Sequence, residues 1–349
     1  MSTAEPAAAG GERIVRPEFT GSAREYFRIW IVNLFFTLIT LGIYSAWAKV
    51  RKKRYFYGCT RLDGDSFDYF ASPKVILKGR IVAFVLFVTY AFSTQLYPVS
   101  AYGFWAVFLV ALPWLVVRAL AFNARNSAYR GLRFDFAATP GETARVYIGM
   151  PLLVVLTAGL AYPWFMARQK AFVVSRHALG KSRFACDVRV RSFYAAYLLA
   201  ALAMVVLFTP LVFLMGYAMT KLELPEEFAW AAFIVPVALM YAVYALVYAY
   251  VQARTANLLW NAAYGPGTRF GSSLSGWKLA RIYVGNVLAA AASVGLLIPW
   301  AVVRTLRYRL ESFSMTVDGK PEHEANPALV RVGATGQEFG DIFNLDFRL

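Results

Sequence analysis

Seven stretches of about twenty apolar residues, none holding an Asp or Glu, dominate this sequence and limit what it can fold into. Four of them, Val75–Leu96, Tyr102–Leu120, Tyr194–Met219 and Ala229–Val251, read as membrane-spanning helices. Three others, Ile29–Ala48, Val146–Ala167 and Ile282–Val303, are as long but carry a glycine inside. With 59% hydrophobic and only 16% charged residues, and a mean hydropathy of +0.49, the 349-residue chain has more apolar surface than a soluble globule would hide. It belongs in a bilayer.

The net charge of +16 does not indicate nucleic acid, because the bases lie between apolar spans and not along a soluble face. Such a distribution suits contact with anionic lipid headgroups. Cys59 and Cys186 stand apart, in basic loops, without metal-ligand spacing, so they are expected to be free thiols with no metal site. His177 and His323 are isolated and expected on exposed loops. Residues 1–18 are small and polar, lack the pattern of a cleaved signal peptide, and are expected to be disordered.

Self-similarity carries most of the remaining information. Gly42, Trp47 and Arg51 recur at the same spacing as Gly159, Trp164, Arg168 and again as Gly295, Trp300, Arg304. Seventeen residues before each tryptophan lies an aromatic (Trp30, Tyr147, Tyr283), and two before that an arginine (Arg28, Arg145, Arg281). A second element alternates with the first. "LDGDSFDYFASP" (Leu62–Pro73) matches "YRGLRFDFAATP" (Tyr129–Pro140), with weaker copies at Leu179–Asp187, Ala263–Ser273 and Phe313–Gly319. Gly or Asp-Gly between short aromatic-rich runs signals a hairpin, so these are expected to be small β-ribbons. The chain then divides into a membrane region over 19–319, with repeats at 19–133, 134–269 and a partial 270–319, followed by a soluble tail at 320–349. Within the tail, Phe339, Ile342, Phe343 and Leu345 fall near helical spacing and suggest a short amphipathic helix.

Topology can be tested against the rule that cytoplasmic flanks collect Lys and Arg. If all seven segments cross, the 36 bases divide 15 against 21. If the three Gly-Trp-Arg segments enter and return on one face while the other four cross as two pairs, the division is 35 against 1, the exception being Lys221. The second arrangement is favoured. Gly42, Gly159 and Gly295 allow the backbone to turn, and Pro163 and Pro299 disfavour an unbroken helix through the same point. The fold expected is an all-α polytopic membrane protein, with four spanning helices, three glycine-interrupted segments that re-enter or span, and short cytoplasmic β-ribbons.

No nucleophile elbow, paired carboxylate, phosphate loop or zinc-protease motif occurs, so the sequence gives no ground for an enzyme or a cofactor. The lack of intramembrane carboxylates weighs against a carrier driven by a cation gradient. What remains is the threefold Trp-Arg constellation. Trp and Arg four apart share a helix face, and if the copies converge, Arg51, Arg168 and Arg304, with Arg28, Arg145 and Arg281 nearby and Trp47, Trp164 and Trp300 at headgroup depth, would form an anion or headgroup site. Separate snorkelling anchors are the plainer reading of the same residues.

"TLGIYSAWAKVRKKRYFYGCTRLDG" (Thr40–Gly64) followed by "FDYFASP" resembles the signature of the YjgN family of bacterial inner-membrane proteins, a group of unknown function. The resemblance extends over about Phe19 to Gly319, and the second and third copies depart from it around Leu160–Pro163 and Leu296–Pro299. It implies a multi-pass protein of the bacterial cytoplasmic membrane and assigns no substrate. The function expected is transport or channel-like passage of an anionic or amphipathic solute. The alternative is a structural or regulatory membrane protein that binds anionic lipid, or a cytoplasmic partner, through the basic surface.

Overall fold

The computed structural model describes residues 12–221 and 230–318. The expected amphipathic helix in the tail, and His323, lie outside these residues. Four helices are long and apolar enough to cross a membrane, α3 (Pro73–Leu96), α4 (Ser100–Arg125), α8 (Val190–Lys221) and α9 (Ala231–Trp260). They pair as α3 with α4 and α8 with α9.

The other helical segments are hairpins. The first is α1 (Ala23–Ile39) and α2 (Ser45–Cys59), and another is α10 (Gly276–Ala292) and α11 (Ile298–Glu311). Between them in the chain, α5 (Pro140–Ala144), a π-helical stretch (Arg145–Gly149) and α6 (Met150–Leu156) form one arm, and α7 (Tyr162–Ser175) the other. Pro151 explains the wider turn there, because it has no N–H to offer the carbonyl four residues back and the helix yields around it.

All three hairpins turn by the same bonds. The N–H groups of Gly42, Gly159 and Gly295 reach back five residues to Thr37 O, Val154 O and Ala290 O at 2.8, 2.8 and 2.7 Å. Those of Leu41, Ala158 and Val294 reach back three, at 3.1, 3.0 and 3.2 Å. This is a Schellman ending with a non-glycine residue in the left-handed region, at φ 48°, 49° and 49°, and the glycine beyond it near 90°. A hydroxyl completes each turn. Thr40, Thr157 and Ser293 donate to the carbonyl four residues back and accept the N–H of Tyr44, Ala161 and Leu297, four residues ahead. The turn thereby satisfies its own backbone, while Leu41 and Val294 project with 94% of their surface exposed.

The expectation of separate ribbons in an all-α protein is corrected by the strands. They form a seven-stranded sheet, ordered β2 (Glu18–Phe19), β3 (Thr60–Leu62), β4 (Asp65–Tyr69), β5 (Ser127–Tyr129), β6 (Leu132–Phe136), β7 (His177–Leu179), β8 (Ser182–Arg183). A five-stranded sheet runs β1 (Glu12–Val15), β12 (Phe313–Asp318), β11 (Thr268–Ser272), β10 (Ala263–Gly265), β9 (Ala185–Cys186). Phe184 alone separates β8 from β9, and residues 16–17 alone separate β1 from β2, so the sheets are joined at both ends into one belt. An isolated ribbon is marginal, and pairing with neighbours removes its open edge.

The N-terminal expectation changes for the same reason: residues 12–15 are not disordered but pair with β12, from Glu12↔Asp318 to Val15↔Met315. One cluster fills the belt, with Val15, Leu62, Tyr129, Leu179 and Val317 contributed by five strands of both sheets. Around the rim, Asp63 accepts from Arg13 and Arg130 at 2.7 and 2.9 Å, and Asp65 from Arg130 at 2.5 Å. Burial pushes the Asp63 carboxyl up, but the hydrogen bonds and charges of Arg130 and Arg13 outweigh it and leave it below the usual range. Contacts of α1 with α11 close the helices in the same order.

The turn geometry is open to a direct test. An added Cβ at Gly42 or Gly159 meets nothing within 4 Å, and at Gly295 only Ile298 Cδ1 at 3.5 Å, so any penalty there is in the backbone. Gly295→Ala is expected to lower unfolding stability by about 1–2 kcal/mol. Val294→Gly relieves a β-branched residue at positive φ and is expected to raise it by up to about 1 kcal/mol. Thermal melts in detergent decide; a lower midpoint for Val294→Gly would contradict the left-handed assignment.

Candidate functional site

The arginines picked out from the sequence lie on the hairpin arms. Arg28, Arg51, Arg145, Arg168 and Arg281 are exposed, and Arg304 is half-buried with its guanidinium 5.0 Å over the ring of Trp300. Trp47 packs against the buried cluster that includes Val50, Tyr69 and Ile76, Trp164 is half-buried, and Pro163 and Pro299 are buried at the starts of α7 and α11. Asn286 ties its hairpin together by donating to Ala301 O at 3.2 Å and Thr305 Oγ1 at 2.9 Å.

A different set of cations converges. Where α4 ends beside the β6–α5 connection and the β7–β8 hairpin, a cleft of about 610 Å³ is lined by Arg118, Arg125, Glu142, Arg176 and Arg183. A smaller hollow of about 170 Å³ shares Arg176 and Arg183 and adds Asp135 and Lys181. Local sequence explains how these side chains are held. Thr139-Pro140-Gly141-Glu142 is a capping box: Glu142 N donates to Thr139 Oγ1 at 3.3 Å and Thr139 N to Glu142 Oε2 at 3.2 Å, with Pro140 in the first turn. The other carboxylate oxygen accepts from Arg176 Nη2 at 2.6 Å. The Thr139 N–H first, then the charge of Arg176, hold the Glu142 carboxyl below its usual range. Ala137 N donates to Arg176 O at 3.0 Å, which fixes the end of α7 against β6.

Arg125 Nε pairs with Asp135 Oδ1 at 2.6 Å. Glu142 of the cleft and Asp135 of the hollow are thus taken up by Arg176 and Arg125, and Arg118 and Arg183 have no carboxylate within ion-pair distance among the described residues. Arg118 lies 5.0 Å over the ring of Trp114, which is 42% exposed on α4. Two uncompensated guanidinium groups beside an exposed indole can hold a phosphate or carboxylate at the edge of an apolar phase. Sequence reasoning missed this cleft. Its signals were present: an arginine within the Tyr102–Leu120 span, and a Thr-x-x-Glu box.

His177, expected on an exposed loop, is 8% exposed on β7. Its Nδ1 bonds Val173 O at 2.7 Å and its ring meets Phe136 edge-on at 5.0 Å. Burial, only partly opposed by the Val173 carbonyl and Asp135, lowers its pKa to about 4. Above pH 6.5 the imidazole is neutral in both folded and unfolded chains and costs nothing. As pH falls from 6.5 towards 4, the unfolded chain takes up a proton that the folded one refuses, so stability drops by on the order of 3 kcal/mol. Melting midpoints between pH 7 and 4 should fall in the wild type and flatten in His177→Gln; parallel curves would refute the buried neutral imidazole.

Three relatives named "Inner membrane protein YjgN" share sequence with this chain. That of Escherichia coli (strain K12) is 29% identical over 150 residues, 41% of this chain and 36% of the relative. That of Escherichia coli O157:H7 is 28% identical over 145 residues, again 41% and 36%. The relative from Salmonella typhimurium (strain LT2) is 27% identical over 139 residues, 40% of this chain and 35% of its own length. The matches thus span little more than a third of each relative. No solved structure matches the chain. The model of one family, described as "Bacterial protein of unknown function (DUF898)", matches residues 15–342, and with its YjgN-like relatives the chain belongs to that family of bacterial membrane proteins.

Proposed function

We propose that this protein binds acidic lipid headgroups at the cytoplasmic face of the bacterial inner membrane, through the cleft lined by Arg118 and Arg183. The observation that carries the reading is the pair of guanidinium groups without acid partners beside exposed Trp114. Arg118 lies seven residues before the end of α4, about 10 Å along the helix, which suits the boundary between headgroups and acyl chains. The apolar filling of the strand belt weighs against an aqueous conduit along its axis, so headgroup binding is favoured over passage of a solute.

The same reading makes the three hairpins pseudo-repeats that dip into the bilayer and return. Two contacts support a shallow dip. Arg80, the eighth residue of α3, donates to Ser45 at the start of α2. Tyr197, the eighth residue of α8, meets Tyr162 at the start of α7 with ring centroids 5.4 Å apart. The return arms α2 and α7 therefore begin about 10 Å from the near end of a spanning helix, with most of that helix still beyond them. Exposed Leu41 and Val294 at the turns suit contact with acyl chains.

Two experiments test the proposal. Cysteines introduced at Ala101, Glu226, Ser175 and Ala325, in a background lacking Cys59 and Cys186, are expected to label from outside at the first two and only from inside at the last two; labelling of Ser175 from outside would reject the topology. Short-chain phosphatidylglycerol titrated into the protein in neutral detergent should bind at least roughly 30-fold more weakly to Arg118→Glu/Arg183→Glu, since each cation near an anionic surface contributes about 1 kcal/mol and each added carboxylate repels the headgroup. Equal loss only in Arg51→Glu/Arg168→Glu/Arg304→Glu would move the site to the hairpin arms.

A further inference from the structure

We propose that the headgroup held in the cleft carries two phosphates in series, one at the acyl boundary on Arg118 and a second, distal one on Arg183. This deepens the headgroup binding proposed above and rests on it. The cleft and the hollow beside it set four guanidinium groups, of Arg118, Arg125, Arg176 and Arg183, against two carboxylates, of Asp135 and Glu142. Arg125 takes Asp135 at 2.6 Å and Arg176 takes Glu142 at 2.6 Å, so the guanidinium charges left over are those of Arg118 and Arg183. A lipid with one phosphodiester balances only one of them.

The fold holds these two charges at different depths. Arg118 and Arg125 lie seven residues apart on α4, two turns along one helix face and about 10 Å along its axis. Arg118 does not climb towards Arg125, because its guanidinium lies 5.0 Å over the ring of Trp114, one turn earlier on α4 and further from the strands. Arg183 stands at the other level. Strand register puts Asp135 opposite Ala178 and Ala178 opposite Arg183, so the three share one row and one face of the sheet. That row crosses the belt sideways, which keeps Arg183 near the level of Asp135 and of the Arg125 that grips it. Arg183 is two strand spacings, about 10 Å, from Asp135 backbone to backbone, and pairs with neither acid.

The ligand class follows from that stagger. A phosphodiester at the acyl boundary meets Arg118 beside exposed Trp114, an indole suited to that depth. A second phosphate on Arg183 then lies further from the acyl chains, in the layer of the strands. Ala121, Ala137 and Ala138 line the cleft as well, small side chains that leave room for a polyol linker and offer it no charge. Two phosphates side by side at one depth, as in diphosphatidylglycerol, do not reach both levels, and neither do two charges on one phosphate, as in phosphatidic acid. Phosphatidylglycerol esterified at its far end with phosphate does, and that end carries about −1.5 to −2 charge at neutral pH.

The test titrates the full-length protein in neutral detergent with short-chain phosphatidylglycerol, its distal phosphate ester, phosphatidic acid and diphosphatidylglycerol. The distal ester is expected to bind roughly fivefold to tenfold more tightly than phosphatidylglycerol, the effect of one further cation engaged. Arg183→Gln should bind these two lipids equally, and Arg183→Lys should keep the preference. Arg118→Gln should weaken both and keep their ratio. Phosphatidylglycerol is each variant's own reference, so loss of fold cannot imitate loss of preference. Equal binding of the two lipids by the wild type, an unchanged preference in Arg183→Gln, or a matching gain with phosphatidic acid or diphosphatidylglycerol overturns the inference and leaves headgroup binding standing. If no acidic lipid binds, or if phosphatidylglycerol binds Arg118→Glu/Arg183→Glu as it does the wild type, headgroup binding itself fails and the inference falls with it.

Discussion

A polypeptide that reverses direction away from water must satisfy its own backbone, since each unpaired peptide group there costs several kcal/mol. That constraint is met at 40–45, 157–162 and 293–298 by one device. Schellman bonds take up the carbonyls that a helix end leaves open, and a Thr or Ser hydroxyl links the last turn of one arm to the first of the next. Because no external donor or acceptor is needed, the tips can be apolar and exposed. Reversal also returns both ends of each hairpin to one face, and the paired helices α3–α4 and α8–α9 do the same for theirs. All the strands then emerge together, and a belt can close.

Closure of that belt determines where chemistry can occur. The twelve short strands among the described residues, most of three to five residues, would be weak alone; joined at both ends they leave no long open edge and share one apolar cluster. The N-terminal residues 12–19 complete it by pairing with the last strand through β1 and with the first hairpin through β2. Arg13 and Arg130 on Asp63 add an ionic seam at that join, mostly exposed and hence modest in energy. With the interior filled, cations that bind a ligand must sit at the rim, as Arg118 and Arg183 do.

Much of the architecture was legible in the sequence, for physical reasons. Long acid-free apolar runs belong in a bilayer, and the glycines at 42, 159 and 295 mark where three of them break into two arms. The belt was not legible, because Leu62–Pro73 and its weaker copies signal local hairpins while register between distant ribbons leaves no local trace. Val15 shows the difficulty: it lies in a segment with the composition of a disordered tail, yet it is 7% exposed at the centre of the cluster. The site was legible least. Repetition drew attention to Arg51, Arg168 and Arg304, but a repeated residue reports what every copy needs, such as an anchor. Arg118 and Arg183 occur once and depend on elements far apart in sequence.

Differences between the hairpins matter more than their likeness. Equivalent positions inherit equivalent backbones, so a side chain that keeps its place and loses its partner is either a defect or has acquired a partner outside the chain. Lys53, with Asn123 and Tyr69, is the self-sufficient version. Lys170 keeps the position and makes no hydrogen bond among the described residues, and Leu306 stands at the corresponding place eleven residues after Gly295.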